Sequence, residues 1–288
     1  MTLEEFKAFS EEKTIIMDGA VGSNMMNGMP KGYCMERWNL EHKDELIALQ
    51  KGYIEAGTQL ISAPTFGANR ISLTGYGLQD RLKEFNTTLV GYTQDAAAGK
   101  AIIAGDVTTS GKMMGYEDYD YEKAFENYSE QIDILAQAGV DLILAETMIS
   151  YDEVIAAIDA CNSVCSLPIV CTMSVDSVGS AFYGGNIMDL APEIEAAGAA
   201  AVGVNCSVAP YQLTSVVKTI AERVNIPVIA KPNAGMPEIN AKGIPIYNLG
   251  AEKFGEQMVD LYNNGARILG GCCGTTPSHI RSLVEHLK

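Results

Sequence analysis

Residues 267–277, RILGGCCGTTP, decide how this chain reads. The stretch opens as a short apolar run, breaks off at Gly270 and Gly271, and delivers two adjacent cysteines, Cys272 and Cys273, where the run ends. A run that is apolar without alternation suits a β-strand buried on both faces, as in a parallel sheet covered by helices. Seven more runs of this kind precede it: 14–19 (TIIMDG), 59–66 (QLISAPTF), 101–107 (AIIAGDV), 142–147 (LILAET), 168–175 (PIVCTMSV), 200–206 (AAVGVNC) and 227–233 (PVIAKPN), the eighth being 267–273 itself.

The segments between the runs carry a helical period. Phe125, Tyr128, Ile132 and Leu135 recur at three- and four-residue steps ahead of Gly139, and Phe254, Met258, Leu261 and Tyr262 do so ahead of Gly265, which places each set on one helix face with a glycine stop. Helices are also expected over 44–55, 81–98, 151–162, 188–197, 211–223 and 277–287. Eight strand–helix units predict an α/β fold, a (β/α)8 TIM barrel. An open doubly wound sheet normally uses fewer strands and gives no reason for chemically capable residues to recur at so many strand ends. No linker or shift of composition divides the chain, so one domain over 1–288 is expected. Residues 25–33 and 111–119, rich in Gly, Met and Tyr, read as long loops after the first and third strands, on the face where barrels build active sites.

The 288 residues carry 20 basic and 36 acidic side chains, a formal charge of −16, which repels phosphate backbones and anionic membrane surfaces. Nucleic acid and membrane partners are therefore not expected. The N-terminus MTLEEFKAFS has neither a basic nor an apolar leader segment, and no apolar stretch nears the ~20 residues that span a bilayer, so a cytoplasmic protein is expected. Seven cysteines in such a compartment are thiols rather than a disulfide framework. Cys161, Cys165 and Cys171 read as small buried hydrophobes in or beside apolar segments, and nothing near Cys34 marks it as reactive.

In a barrel, the strand ends map the site. Asp18, Thr65, Phe66, Asp106, Glu146, Cys206, Asn233, Cys272 and Cys273 all fall there and converge on one mouth. Neighbours on a regular strand point to opposite faces, so Cys272 and Cys273 can share an ion only where the backbone leaves strand geometry, and Gly270, Gly271 and Gly274 are expected to permit it. A vicinal disulfide or reactive dithiol is the alternative for that pair alone. With Cys206 the set becomes three thiolates, which suit Zn2+ and leave its fourth position open; Cys34 stays open as a further ligand. A substrate thiol at the open position would lose its proton. Three thiolates around a dication keep electron density on sulfur, which favours attack of sulfur on carbon over the hydrolysis served by His-rich zinc.

The segments IMDGAVGS (16–23), LILAETM (142–148), GVNCS (203–207), KPNAGMP (231–237) and GGCCGTTPSHI (270–280) together resemble the homocysteine S-methyltransferase family, from about Lys13 to the C-terminus. The family includes the homocysteine-binding module of cobalamin-dependent methionine synthase, betaine-homocysteine methyltransferase and the enzymes that use S-methylmethionine. The resemblance implies a zinc barrel in which homocysteine sulfur takes the open metal position and accepts a methyl group, giving methionine. It puts the zinc ligands, and with them the catalytic role, on Cys206, Cys272 and Cys273. It puts the DG motif on Asp18 and Gly19 and the ET motif on Glu146 and Thr147, with the two acids holding the homocysteine ammonium. Asn233, with Lys231 and Gly235, is expected to shape the substrate side of the loop after the seventh strand.

The methyl donor is not read from these residues. No DxHxxG sequence, the signature of a cobalamin-ligating module, occurs, and the chain ends soon after the TTP motif. Cobalamin is not expected as a resident cofactor, and a methylcorrinoid or methylated folate would arrive on a partner protein or a separate domain. The second strand reads Ala63-Pro64-Thr65-Phe66 where methionine synthase has ETNTF, a departure from that enzyme. The alternatives are a module that presents homocysteine without turnover of its own, or a related methyltransferase or demethylase with another acceptor. His42, His279 and His286 are expected at the surface, and 116–121 (YEDYDY) as a solvated loop, with a donor-side lid or a partner contact as its alternatives.

Overall fold

The computed structural model describes residues 1–116, 118–239 and 245–288. A strand forms at each apolar run, with β3 and β4 ending one residue past theirs and β8 starting one residue before: β1 (Ile15–Ile16), β2 (Leu60–Ala63), β3 (Ile102–Thr108), β4 (Leu142–Met148), β5 (Ile169–Met173), β6 (Ala201–Asn205), β7 (Val228–Lys231) and β8 (Ala266–Leu269). They pair in parallel in the order β1-β8-β7-β6-β5-β4-β3-β2. A parallel bridge between Met17 and Leu60 joins the two ends of that order, with Gln59 N donating to Ile16 O at 2.8 Å and Asp18 N to Leu60 O at 3.3 Å. The sheet thus closes as the expected barrel, and closure removes the edges an open sheet would expose.

The two-residue period of the strands divides the core in two. Ile15, Met17, Leu60, Leu144, Ile229 and Ile268 pack together inside the barrel. Ile16, Ile61, Val107, Ala145, Val204 and Leu269, each one position away from an inward residue, pack instead against the surrounding helices. Runs that looked uniformly apolar are therefore alternating strands whose two faces are both buried.

The helices follow the strands as read, with ends shifted by a few residues: Lys43–Ala56, Leu82–Ala97, Tyr121–Gln137, Tyr151–Val164, Ile187–Ala196, Thr214–Ala221, Ala251–Asn263 and Pro277–His286. Residues 211–213 do not join the helix that begins at Thr214, because Pro210–Gln212 forms a 3-10 turn ahead of it. Helix Leu3–Glu12 was not anticipated, although Thr2 and Glu5 form a capping box at its start. Its Phe6 is fully buried and packs into the barrel interior, sealing the end opposite the strand C-termini. The loop after β7 holds an antiparallel pair, Pro237–Ile239 with Pro245–Tyr247. No helix among the described residues is long and apolar enough to cross a membrane.

Two surface readings change. Tyr119 of the YEDYDY run is buried and its hydroxyl donates to Glu153 at 2.8 Å, so this part of the loop is anchored, while Tyr116 is exposed and Glu117 lies outside the described residues. His279 is also buried: Nδ1 lies 2.9 Å from Thr276 Oγ1 and Nε2 lies 2.9 Å from Leu249 O. It caps its own helix and ties it to the segment before helix Ala251–Asn263, and so is not a surface histidine.

Candidate functional site

Above the last apolar layer of the barrel, the inward positions turn polar. Asp18 after β1, Ser62 on β2, Asp106 on β3, Glu146 on β4, Asn205 on β6 and Lys231 on β7 are all buried. With Gly19, Thr147, Cys206, Cys272 and Cys273, all of these but Asn205 line a cavity of about 370 Å3 at the C-terminal ends of the strands. A larger hollow of about 650 Å3 lies at the N-terminal ends, among residues such as Lys7, Pro227 and Arg267; it contains none of these groups.

Cys206 leaves β6 in the left-handed region, φ 61°, followed by Ser207 at 58°, and its N–H donates to Lys231 O at 3.0 Å. Two successive left-handed non-glycine residues are strained and persist only where surrounding bonds hold them. Beyond β8 the backbone is held step by step: Gly270 N donates to Ala230 O (3.1 Å), Gly271 N to Asp18 O (3.0 Å), and Cys272 N to Pro232 O (2.8 Å). The glycines serve differently from the expectation that all three would permit unusual dihedrals. Among them only Gly274 has positive φ, 80°. Gly270 and Gly271 are required by space: a Cβ would lie 2.8 Å from Asp18 O in the first case and 2.5 Å from the Thr275 side chain in the second.

The result brings the three cysteines together. Their sulfur atoms all lie within 4.8 Å of one another, with Cys206 and Cys273 sulfurs 3.9 Å apart. Asn205 Nδ2 donates to Cys272 Sγ at 3.7 Å and to Thr147 Oγ1 at 2.7 Å, while Asn205 Oδ1 accepts from Thr147 N at 3.0 Å. Hydrogen bonds from Cys206 and Cys272 hold the Cys273 thiol far below the ordinary thiol range, at about 3. Cys272 is pushed well above its ordinary value, by hydrogen bonding to Cys206 and Cys273 and by burial.

The trio also fits a metal. Tetrahedral zinc with bonds of about 2.3 Å to sulfur places its sulfur ligands about 3.8 Å apart, close to the Cys206–Cys273 spacing here. Cys34 does not join them: it is buried and donates to Glu36 Oε2 at 3.3 Å, and burial pushes its thiol up to about 11. Cys161, Cys165 and Cys171 belong to the helix and strand packing of the outer core.

The carboxylates differ from a simple pair waiting for an ammonium, because Lys231 stands between them. Its Nζ is 2.5 Å from Glu146 Oε1 and 3.5 Å from Asp18 Oδ1. Burial works to strip the Lys231 proton, and the charges of Glu146 and Asp18 overcome it and hold the ammonium well above its usual range. Asp18 also accepts from Ser62 N at 2.8 Å; burial raises its carboxyl, with Lys231 opposing. Asp106 is raised well above the usual aspartate value, by burial first and then by Glu146.

Asp18, Gly19 and Glu146 share the cavity with the cysteines, and Asn233 does not line it. Asn233 is buried, with no hydrogen-bond donor to its Oδ1 among the described residues; its N–H donates to Val208 O at 3.1 Å, and the next residue, Ala234, donates to Cys273 O at 2.9 Å. It therefore ties the two cysteine-bearing loops. The sequence reading assigned no chemical role to Lys231 or Asp106. Each is a charged residue inside an apolar run, IIAGDV and VIAKP, and that was the available signal.

Comparison with known proteins adds three findings. A family model described as homocysteine S-methyltransferase matches residues 15–287. Methionine synthase of Mycobacterium leprae is 25% identical over 291 residues, which cover 94% of this chain and 24% of that protein; this chain thus spans about a quarter of the length of that relative. Two structures of the homocysteine methyltransferase MmuM from Escherichia coli, oxidized and metallated, superpose with TM-scores of 0.80 at 19% and 20% identity, covering 97% and 96% of this chain and 98% of theirs. They share its fold.

Proposed function

The chain belongs to the homocysteine S-methyltransferase family, and on that premise we propose that it transfers a methyl group to the thiol of homocysteine, giving methionine, with zinc held by Cys206, Cys272 and Cys273. The observation that carries this reading is the cluster of three sulfurs within 4.8 Å in the wall of the cavity that also holds Asp18 and Glu146. The metallated form of the structurally similar Escherichia coli protein supports it. Bound there, zinc would supply the positive charge that lets a substrate thiol exist as thiolate at neutral pH.

The chain's own residues supply the rest. Asn205, hydrogen-bonded to Thr147 and Cys272, fixes the orientation of Cys272 in the manner of the outer partners that orient metal ligands. Asp18 and Glu146 line the cavity where the substrate ammonium would sit, and Lys231 bridges the two carboxylates.

We assign the donor to a methylcorrinoid or methylated folate carried by a partner protein or a separate domain, a reading supported by the methionine synthase relative. The test is X-ray absorption at the zinc edge with and without homocysteine. Replacement of one oxygen or nitrogen neighbour by a fourth sulfur is expected; an unchanged shell, or no zinc in protein purified under reducing conditions, would reject the assignment. Methionine formation with methylcobalamin, S-methylmethionine and betaine then identifies the donor class.

A further inference from the structure

We propose that Asp106 is a third carboxylate of the acceptor site, the one that makes the site select a thiol bearing an ammonium group over the same thiol acid without it. The inference rests on the homocysteine reading above and adds a specificity-determining residue to it. Asp106 points inward from β3, lines the cavity, and is 4% exposed. Its Oδ1 is buried without a hydrogen-bond donor among the described residues. A buried carboxylate left without a partner costs free energy that the fold would avoid by placing an apolar residue there, as it does one layer below at Ala104.

The charge around it explains what the position lacks. Asp18 and Glu146 both engage Lys231, and Asp18 also has the Ser62 N–H. Glu36, from helix Met35–Glu41, adds further negative field, and its Oε1 is occupied by Gly67 N at 2.8 Å. Lys231 is thus one cation paired with two acids, and it reaches Asp106 only through its field, which opposes the larger effects of burial and Glu146 without overcoming them. The cavity wall carries more carboxyl groups than cations, a surplus that a ligand cation would offset in the complex. A primary ammonium has three donors, enough to meet Asp106 while touching Asp18 or Glu146. The thiol of the same ligand lies toward the three cysteines of the same cavity. A ligand without the amino group leaves Asp106 as it was and gains nothing from it.

The experiment is isothermal titration of the zinc-loaded protein and its Asp106→Asn variant with homocysteine and with 4-mercaptobutyrate, which has the same chain and thiol but no ammonium. Wild-type protein is expected to prefer homocysteine. Asp106→Asn is expected to weaken homocysteine about tenfold or more, the size of a lost charged contact, and to leave 4-mercaptobutyrate within about twofold. Equal weakening of both ligands, or of neither, overturns the proposal. If the wild-type protein binds neither ligand, the acceptor reading itself fails and this inference with it. The amide keeps the carboxylate's shape and removes an unpaired charge; should it not accumulate as folded protein, Asp106→Ser is read the same way.

Discussion

Lys231 Nζ stands 2.5 Å from Glu146 Oε1, with both side chains buried at the polar floor of the barrel. The pair joins β7 to β4 across the barrel interior, and the same ammonium reaches Asp18 after β1. Three strands that are not neighbours therefore share one charge cluster. Removing the cation would leave two carboxylates to face burial alone, since breaking a buried pair exposes the full desolvation cost of what remains. Lys231→Met is expected to destabilise the fold by about 3–5 kcal/mol, measured by urea unfolding, and adding Glu146→Gln is expected to restore part of the loss. A single-variant loss within experimental error would show that the cluster does not stabilise the barrel.

The thiol trio makes a stoichiometric prediction. Protein prepared under reducing conditions should carry about one zinc per chain, and Cys272→Ala should bring that close to zero, together with methyl transfer to homocysteine. Cys34→Ala should leave the metal in place, because Cys34 is engaged with Glu36. Elemental analysis of the three proteins decides the point.

Asp106 makes a prediction about pH. Burial raises its carboxyl in the folded state, so between the ordinary aspartate value, about 4, and the raised folded value the folded chain holds a proton that the unfolded chain has released. Within that window folding takes up a proton, and this contribution to stability grows as pH falls through the folded value and levels off below the ordinary one. Asp106→Asn removes it. The variant should therefore be more stable than wild type at neutral pH without metal, by a margin that shrinks as the pH is lowered toward 4. Thermal unfolding of both proteins from pH 5 to pH 8 tests this, and a margin independent of pH would contradict it.

Phe6 tests the role of the N-terminal helix. Its ring is fully buried and belongs to the interior cluster with Ile15, Leu142 and Ile268, so Phe6→Ala opens a cavity at the end of the barrel remote from the cysteines. A loss of about 3–5 kcal/mol is expected, with zinc content unchanged. A loss of metal alongside would mean that the two ends of the barrel are coupled.

Much of the fold was legible because burial on both faces leaves a strong mark. A strand forms at each of the eight apolar runs, and the helices at Tyr121–Gln137 and Ala251–Asn263 followed from spacing and a glycine stop. Helix Leu3–Glu12 went unread because it lies outside the repeating unit, and its single buried aromatic, Phe6, does not set up a period. His279 was misread because a helix-start histidine looks alike in sequence whether its ring meets water or, as here, Leu249 O.

By itself the sequence determined the residue types and their places on strand ends: three cysteines, the DG and ET acids, and the glycines around RILGGCCGTTP. Only the tertiary structure decided how these groups meet. Closure of the barrel sets Lys231 between Asp18 and Glu146, leaves Asp106 Oδ1 without a hydrogen-bond donor among the described residues, and makes Gly270 and Gly271 necessary for space rather than for dihedral freedom. The physical reason is that a strand's alternation says which residues share a face, whereas the pairing of charges across a barrel depends on register and stagger between strands far apart in the chain.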